Sequence, residues 1–403
     1  MRWAGMRTRA ISVIAALGFV CCVAVGVTVI GGARLLEPSG QRDSVLGAAR
    51  AELIAGVTFA PSPDATAVAP NAPIVVTSGM GRLVAVRATS TTGAVVGGSL
   101  ARSAHVWRST GFLEYGSVYN VSALVTGAAN VSALSTMSFR TLRPTSTVTA
   151  TVFPGEGLAV GVGQPIVFTF SQPIDTAARA GPYRHLSVRG SRKIVGGWHW
   201  FNDHELHFRP RTFWPAGERV TVAWNLNGWN VGGGTWGMGG ATAHFTVGDT
   251  HVSFANLSTD QMTVTVNGLA IATFPISGGR PSYPTMDGVH VVLDRASVVH
   301  MVSSTNGIPV DSPDGYDELV YDDVRISDSG EYVHAAPWSV SSQGNANVSH
   351  GCINLSPEDA AAFFAFSRVG DVVVVTGSPR PPEFGDHGVM DWDTSWSGFT
   401  RAR

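Results

Sequence analysis

From about Val57 onward the chain is written in short β-branched runs broken every few residues by Gly, Pro, Asn or Ser, and this punctuation argues for a mainly β fold. Examples are Pro73-Ile74-Val75-Val76-Thr77, Leu83-Val84-Ala85-Val86 and Tyr119-Asn120-Val121-Ser122-Ala123-Leu124. The 47 Gly and 22 Pro in 403 residues supply the turns that such strands need. The first run of strands, 57–144, closes at Phe139-Arg140-Thr141, and Thr145 to Thr149 reads as a linker. A second run, 150–249, closes similarly at Phe245-Thr246-Val247. Two tandem β-sandwiches are the expectation. The second holds six of the eleven tryptophans, which the sequence assigns to a core or an interdomain seam ahead of a glycan-binding face.

The block 250–377 is also mainly β. Met262 to Ile271 reads as a hairpin turning at Asn267-Gly268. Ser356-Pro357-Glu358-Asp359 reads as a helix start, with Ser356 as cap and Pro357 in the first turn. Met301 to Asp323 lacks regular pattern, and an irregular stretch that long inside a compact block points to function. A Pro- and Asp-rich tail, 378–403, carries Trp392 and Trp396 and either folds back or hangs free.

At the other end, residues 1–34 place Arg2, Arg7 and Arg9 before an uncharged run from Ala10 to Ala33. That run is long enough for the ~20 residues of a membrane-spanning helix, and the arginines would stay cytoplasmic. An uncleaved anchor is favoured over a cleaved signal peptide, although Gly31-Gly32-Ala33 offers small residues for cleavage. Lipidation at Cys21 or Cys22 is a third option, which the bulky Phe19 and Val20 before them suit poorly. Residues 35–56 read as a polar connector or short helix. The expected location is a single-pass cell membrane protein with residues beyond 35 outside the cytoplasm.

A net charge of −2, with no basic block in the body, gives no footprint for nucleic acid. No cofactor and no metal are expected. The Gly-rich stretch Asn225 to Gly240 has no carboxylate, and His204 and His207 would face opposite sides of a strand.

Cys352 is the one cysteine outside the N-terminal run. A lone thiol in an exported chain is either inert and buried or exposed and reactive. Gly351 before it permits a sharp turn, and backbone N–H groups of Gly351 and Cys352 are candidate oxyanion donors. His334 and His350 are both candidates to take its proton, leaving a thiolate–imidazolium pair.

His334 followed, fifteen positions on, by Ser349-His350-Gly351-Cys352-Ile353-Asn354 resembles the signature of the L,D-transpeptidase catalytic domain, the YkuD-type fold, over about 251–376. The upstream sandwiches resemble the immunoglobulin-like domains of mycobacterial and actinobacterial members. The resemblance implies acyl transfer on peptidoglycan stem peptides, a donor tetrapeptide and an acceptor stem, joined in a 3→3 cross-link through a thioester on Cys352. A carboxypeptidase or other cysteine hydrolase of the same stems is the alternative. It also implies inhibition by β-lactams of carbapenem type. Cys352 and His334 become the catalytic pair. His350, Gly351 and Ser349 become oxyanion or support residues, and Tyr316, Ser329, Gly330, Asn354, Met301 and Trp338 substrate-binding ones. The 301–323 stretch resembles the family's lid. One departure is Ala335, where some relatives have serine. It is harmless if a backbone carbonyl orients the imidazole.

Overall fold

The computed structural model describes residues 39–401; the expected anchor, with Cys21 and Cys22, lies outside them. Among the described residues no helix is long and apolar enough to cross a membrane. The connector is helical over Ser39–Ala55 and ends by burying Leu53 in the first β block.

That block has two four-stranded sheets. One runs Val57–Ala60, Val75–Ser78, Val106–Ser109, Gly98–Leu100; the other Val95–Val96, Arg82–Ser90, Val118–Thr126, Ser132–Arg140. In Val118–Thr126 the residues Tyr119, Val121, Ala123 and Val125 are buried and their neighbours are not, the period-2 signature of one face on a core. Tyr119 and Phe139 stack at 5.4 Å across that core.

The second block is built the same way. It pairs the sheet Ala150–Phe153, Ile166–Phe170, Glu205–Pro210, Gly196–Trp200 with the sheet Ala159–Val160, Gly240–Val247, Arg219–Asn225, Leu186–Gly190. Trp200, Trp214 and Trp229 are buried in its core, and the indole of Trp214 donates to the Gln164 carbonyl at 2.7 Å. Trp198 and Trp224 pack against the same core. Trp236 meets Tyr115 edge-on at 6.4 Å in the seam with the first block. Tyr115 bolts that seam: its hydroxyl donates to Gly237 C=O at 2.6 Å and accepts from Gly228 N–H at 3.0 Å.

The third block holds a five-stranded sheet in the order Leu269–Pro275, Gln261–Val266, His251–Asn256, Val372–Thr376, Gly288–Val291. A four-stranded sheet, Asp294–Val302, Asp317–Arg325, Tyr332–Ala335, Ile353–Leu355, shares a core with it. The helix Pro357–Phe366 adds Phe363 to that core. Asn267 and Gly268 both have positive φ, 50° and 81°, the geometry of the tight hairpin turn read from the Asn-Gly pair. Ser356 accepts from Asp359 N–H at 3.1 Å as the helix cap.

The stretch 301–323 is more regular than its pattern suggests. Asp294–Val302 and Asp317–Arg325 form a long antiparallel hairpin, and only 303–316 is irregular. The outer arms of this hairpin are largely exposed on both faces, so they carry no apolar alternation to read.

The tail folds back on the second block. Arg209, 3% exposed, lies beneath Trp392, Trp396 and Phe399, with its guanidinium 4.7, 5.3 and 4.5 Å from the ring centres. It also donates to Thr394 C=O at 2.9 Å. A desolvated cation over aromatic faces is worth about 2 kcal/mol or more, enough to hold a short segment down. Trp392 donates to Gly163 C=O at 2.7 Å, and Arg380 at the start of the tail reaches Glu331 at 2.8 Å.

Candidate active site

The strand Tyr332–Ala335 runs parallel to Ile353–Leu355, with His334 opposite Asn354. Side chains alternate along a strand, so Val333, Ala335, Ile353 and Leu355 enter the core while His334 and Asn354 take the other face. Cys352, two residues before Asn354, belongs to that same face. One strand pairing therefore brings sulfur and imidazole to one cleft of about 350 Å³.

The turn that delivers Cys352 is pinned locally. Gly351 has φ +127°, a conformation that a side chain resists. The Ser349 hydroxyl accepts from Gly351 N–H at 3.0 Å and donates to Cys352 C=O at 2.6 Å. Gly351 N–H, expected as an oxyanion donor, is engaged by Ser349 in this turn, which makes Cys352 N–H the stronger candidate for that role.

His334 is buried, and its Nδ1 lies 3.0 Å from Ala335 C=O. A carbonyl only accepts, so Nδ1 carries the proton and Nε2 is the basic nitrogen. The orienting group is thus the backbone. The Ala335 side chain sits on the opposite face in the core, so the missing serine hydroxyl costs the imidazole nothing.

His350 does a different job. Its Nε2 accepts from Arg280 at 2.9 Å, and its ring lies 5.1 Å from both Tyr283 and Tyr316. Arg280 also pairs with Asp314 at 2.5 Å, and Tyr283 donates to Asp314 at 3.1 Å. His350 therefore ties the nucleophile turn to the irregular 303–316 segment. Burial, then the Arg280 charge, hold it below the ordinary imidazole value, so it stays neutral.

The remaining expected residues divide between two clefts that meet at Cys352. Met301, Tyr316, Trp338, Ser349, His350 and Asn354 line the first, with His334. Ser329 and Gly330 line only the second, of about 250 Å³, again with Tyr316, His350 and Cys352. Trp338 is half-exposed, 6.2 Å from the His334 ring. Asn354 is buried and donates to Ser339 Oγ at 3.0 Å, which makes it a brace for the strand pair.

Burial governs the charges. It pushes the Cys352 thiol up to about 12, against the pull of Tyr332 N–H, and the Glu331 and Asp323 carboxyls add to the rise. It also pushes His334 down to about 4, against the pull of Ala335 C=O. Both shifts disfavour charge, so the resting pair is neutral thiol and neutral imidazole. Both shifts run against the thiolate–imidazolium pair expected from spacing as a resting state.

With this geometry in view, the comparisons with known proteins are specific. Residues 250–375 match the model of the L,D-transpeptidase catalytic domain, and 65–230 match that of a bacterial Ig domain. L,D-transpeptidase 2 of Mycobacterium tuberculosis (strain CDC 1551 / Oshkosh) is 36% identical over 344 residues, covering 85% of this chain and 84% of the relative. The chain belongs to the L,D-transpeptidases. L,D-transpeptidase 1 of Mycobacterium tuberculosis (strain ATCC 25618 / H37Rv) is 37% identical over 265 residues, 66% of this chain and 98% of the relative. A solved structure of LD transpeptidase LdtMt1 in complex with imipenem is 39% identical, covering 58% of this chain and all of that one, with a TM-score of 0.50.

This transpeptidase carries site residues that the sequence reading missed. Arg280, Tyr283 and Asp314 hold His350 and the irregular segment. Glu331 backs the Gly351 turn, accepts from Met286 N–H at 2.9 Å and pairs with Arg380. Burial pushes the Glu331 carboxyl up to about 7 despite both partners. None follows a short local pattern.

The Ser349 staple gives a test. Ser349→Ala frees Gly351 N–H and Cys352 C=O and lets the turn drift. A misplacement of about 1 Å costs on the order of 10²-fold in rate. Acylation of Ser349→Ala by a carbapenem, followed by stopped-flow fluorescence, is expected to slow about 100-fold in a protein that still melts cooperatively. A wild-type acylation rate would show that the staple does not position the sulfur.

Proposed function

We propose that this L,D-transpeptidase joins peptidoglycan stem peptides 3→3, with Cys352 as nucleophile and His334 as the shuttling acid–base. The observation that carries the reading is that Cys352 opens on two clefts, one lined by His334, which suits a reaction with two peptide substrates.

The donor tetrapeptide presents the carbonyl of its third residue to Sγ. As the S–C bond forms, the thiol proton passes to His334 Nε2, the nitrogen left basic by the Ala335 contact. Burial still opposes the imidazolium, but the negative charge now forms on the carbonyl oxygen, where a hydrogen-bond donor can offset the cost. Cys352 N–H is the candidate donor to that oxyanion, an interaction worth about 3–4 kcal/mol. Collapse breaks the C–N bond to the terminal D-alanine, and Nε2–H protonates the leaving amine. The thioester remains. The side-chain amine of a second stem then attacks it, giving its proton to Nε2, and breakage of the C–S bond returns the neutral thiol.

Tyr316 lines both clefts, and burial holds its phenol protonated, so it is a hydrogen-bond donor to bound stem. Ser329 and Gly330 would contact the stem in the second cleft, and Met301 and Trp338 would shape the first. A carbapenem, as a strained acyl donor, would load Cys352 in the same way. A solved relative in complex with imipenem supports this reading.

Incubation with disaccharide-tetrapeptide should yield dimer and free D-alanine, and a carbapenem should add one mass adduct. Cys352→Ala should lose both. D-alanine release without dimer would favour the hydrolase reading, and an adduct surviving in Cys352→Ala would place the nucleophile elsewhere.

The arginines and apolar run of residues 1–34 support retention as a membrane anchor, with the catalytic block on the cell-wall side. The full chain should pellet with membranes under alkaline carbonate, and a chain begun at Ser39 should not. Release of the full chain by that wash would argue for cleavage.

A further inference from the structure

A second cluster of chemistry-bearing residues lies away from Cys352, where the second β block, the tail and the 327–330 turn meet. We propose that Glu205, His207 and His387 form a binding site for a divalent transition metal of the zinc class. Glu205 and His207 are two apart on the strand Glu205–Pro210 and share a face, and His387 comes from the tail. Their ligand atoms lie within 4.8 Å of one another.

The orientation of the two imidazoles carries the argument. His207 Nδ1 is bonded to Asp391 at 2.8 Å, and His387 Nδ1 is bonded to Asp328. Each carboxylate accepts the Nδ1 proton and turns Nε2 toward Glu205. His387 Nε2 lies 2.6 Å from Glu205 Oε2, and His207 Nε2 lies 3.9 Å from the same oxygen. A carboxylate behind each ring, fixing the tautomer and aiming the far nitrogen, is the outer shell of a histidine metal site. It occurs here twice, on one oxygen.

His207 supplies an independent observation. It is 1% exposed, and its Nε2 has no hydrogen-bond partner. A buried lone pair aimed at a carboxylate oxygen is unfavourable without a cation between them. Phe201 stacks on both rings, at 5.0 Å from His207 and 4.0 Å from His387, and holds them side by side.

The dimensions fit. Tetrahedral nitrogen and oxygen ligands about 2.1 Å from zinc stand roughly 3.4 Å apart. The separations of 2.6 and 3.9 Å from Glu205 Oε2 bracket that value, and all three ligand atoms fall within 4.8 Å of one another, so side-chain adjustment on the order of 1 Å would admit the ion. Two imidazoles and one carboxylate favour zinc over magnesium or calcium, with a water as fourth ligand.

The competitor is a proton. Burial lowers His387, but its hydrogen bonds with Asp328 and Glu205 outweigh that and hold it up at about 10. Either cation would tie the turn of Asp328 to the second block, and the Gly330 carbonyl of that turn lies 3.9 Å from Cys352 Sγ.

The full chain, stripped by a chelator, should bind one equivalent of zinc chloride by calorimetry. With cobalt(II) it should show the visible bands of a tetrahedral nitrogen–oxygen site without thiolate charge transfer. His387→Gln and Glu205→Gln, each checked for folding by carbapenem adduct formation, should lose at least 100-fold in affinity. Asp391→Asn, which only positions His207, should lose about 10–100-fold. Cys352→Ala should bind as wild type does. Failure to bind one equivalent, undiminished binding in both Gln variants, or loss of binding in Cys352→Ala would overturn the proposal and leave a proton clamp at this seam.

Discussion

Parallel pairing of two short strands, Tyr332–Ala335 and Ile353–Leu355, is the constraint on which the rest of the site depends. Its register sets His334 beside Asn354 and, by the two-residue alternation, sends Cys352 to the same face. Val333, Ile353 and Leu355, all fully buried, lock the pairing from the opposite side. A slip of one residue would send the imidazole into the core and expose the aliphatic face. The catalytic geometry is thus held by the packing of residues that never meet the substrate.

The same burial sets the chemistry. A sulfur and an imidazole seated on a sheet lose solvation that would stabilise either charge, so the pair rests neutral. The backbone carbonyl of Ala335 then matters more than its magnitude suggests. It decides which nitrogen holds the proton before any substrate arrives. Such a pair is slow toward small electrophiles and responds to a substrate whose carbonyl accepts the charge as it forms.

What could be read from the sequence was local. The Ser349 to Asn354 motif, the Asn267-Gly268 turn and the Ser356 cap each sit within a few residues and carry their own geometry. The fold class was legible because turns and β-branched runs are short-range signals. The polar brace around the site was not. Arg280 meets Asp314 across 34 residues, Arg380 meets Glu331 across 49, and His387 meets Glu205 across 182. A charged residue on a loop shows no periodicity, and nothing nearby in the chain names its partner. The long hairpin 294–325 was hidden for a related reason, since its first arm buries no residue and gives little inward face to pattern. The tail was ambiguous until Arg209 was seen beneath its rings, because an arginine within a strand pattern gives no hint of what stacks on it.

The central claim is that the resting thiol and imidazole are both neutral because His334 is buried and the half-buried Cys352 sits poorly solvated beside it. The ultraviolet thiolate absorbance of wild type minus Cys352→Ala, followed against pH, tests it most directly. The account predicts no thiolate signal from Cys352 at neutral pH and a rise only in strong alkali, toward the value of about 12. A thiolate signal already present near neutrality, and lost on His334→Ala, would show a standing ion pair and contradict it.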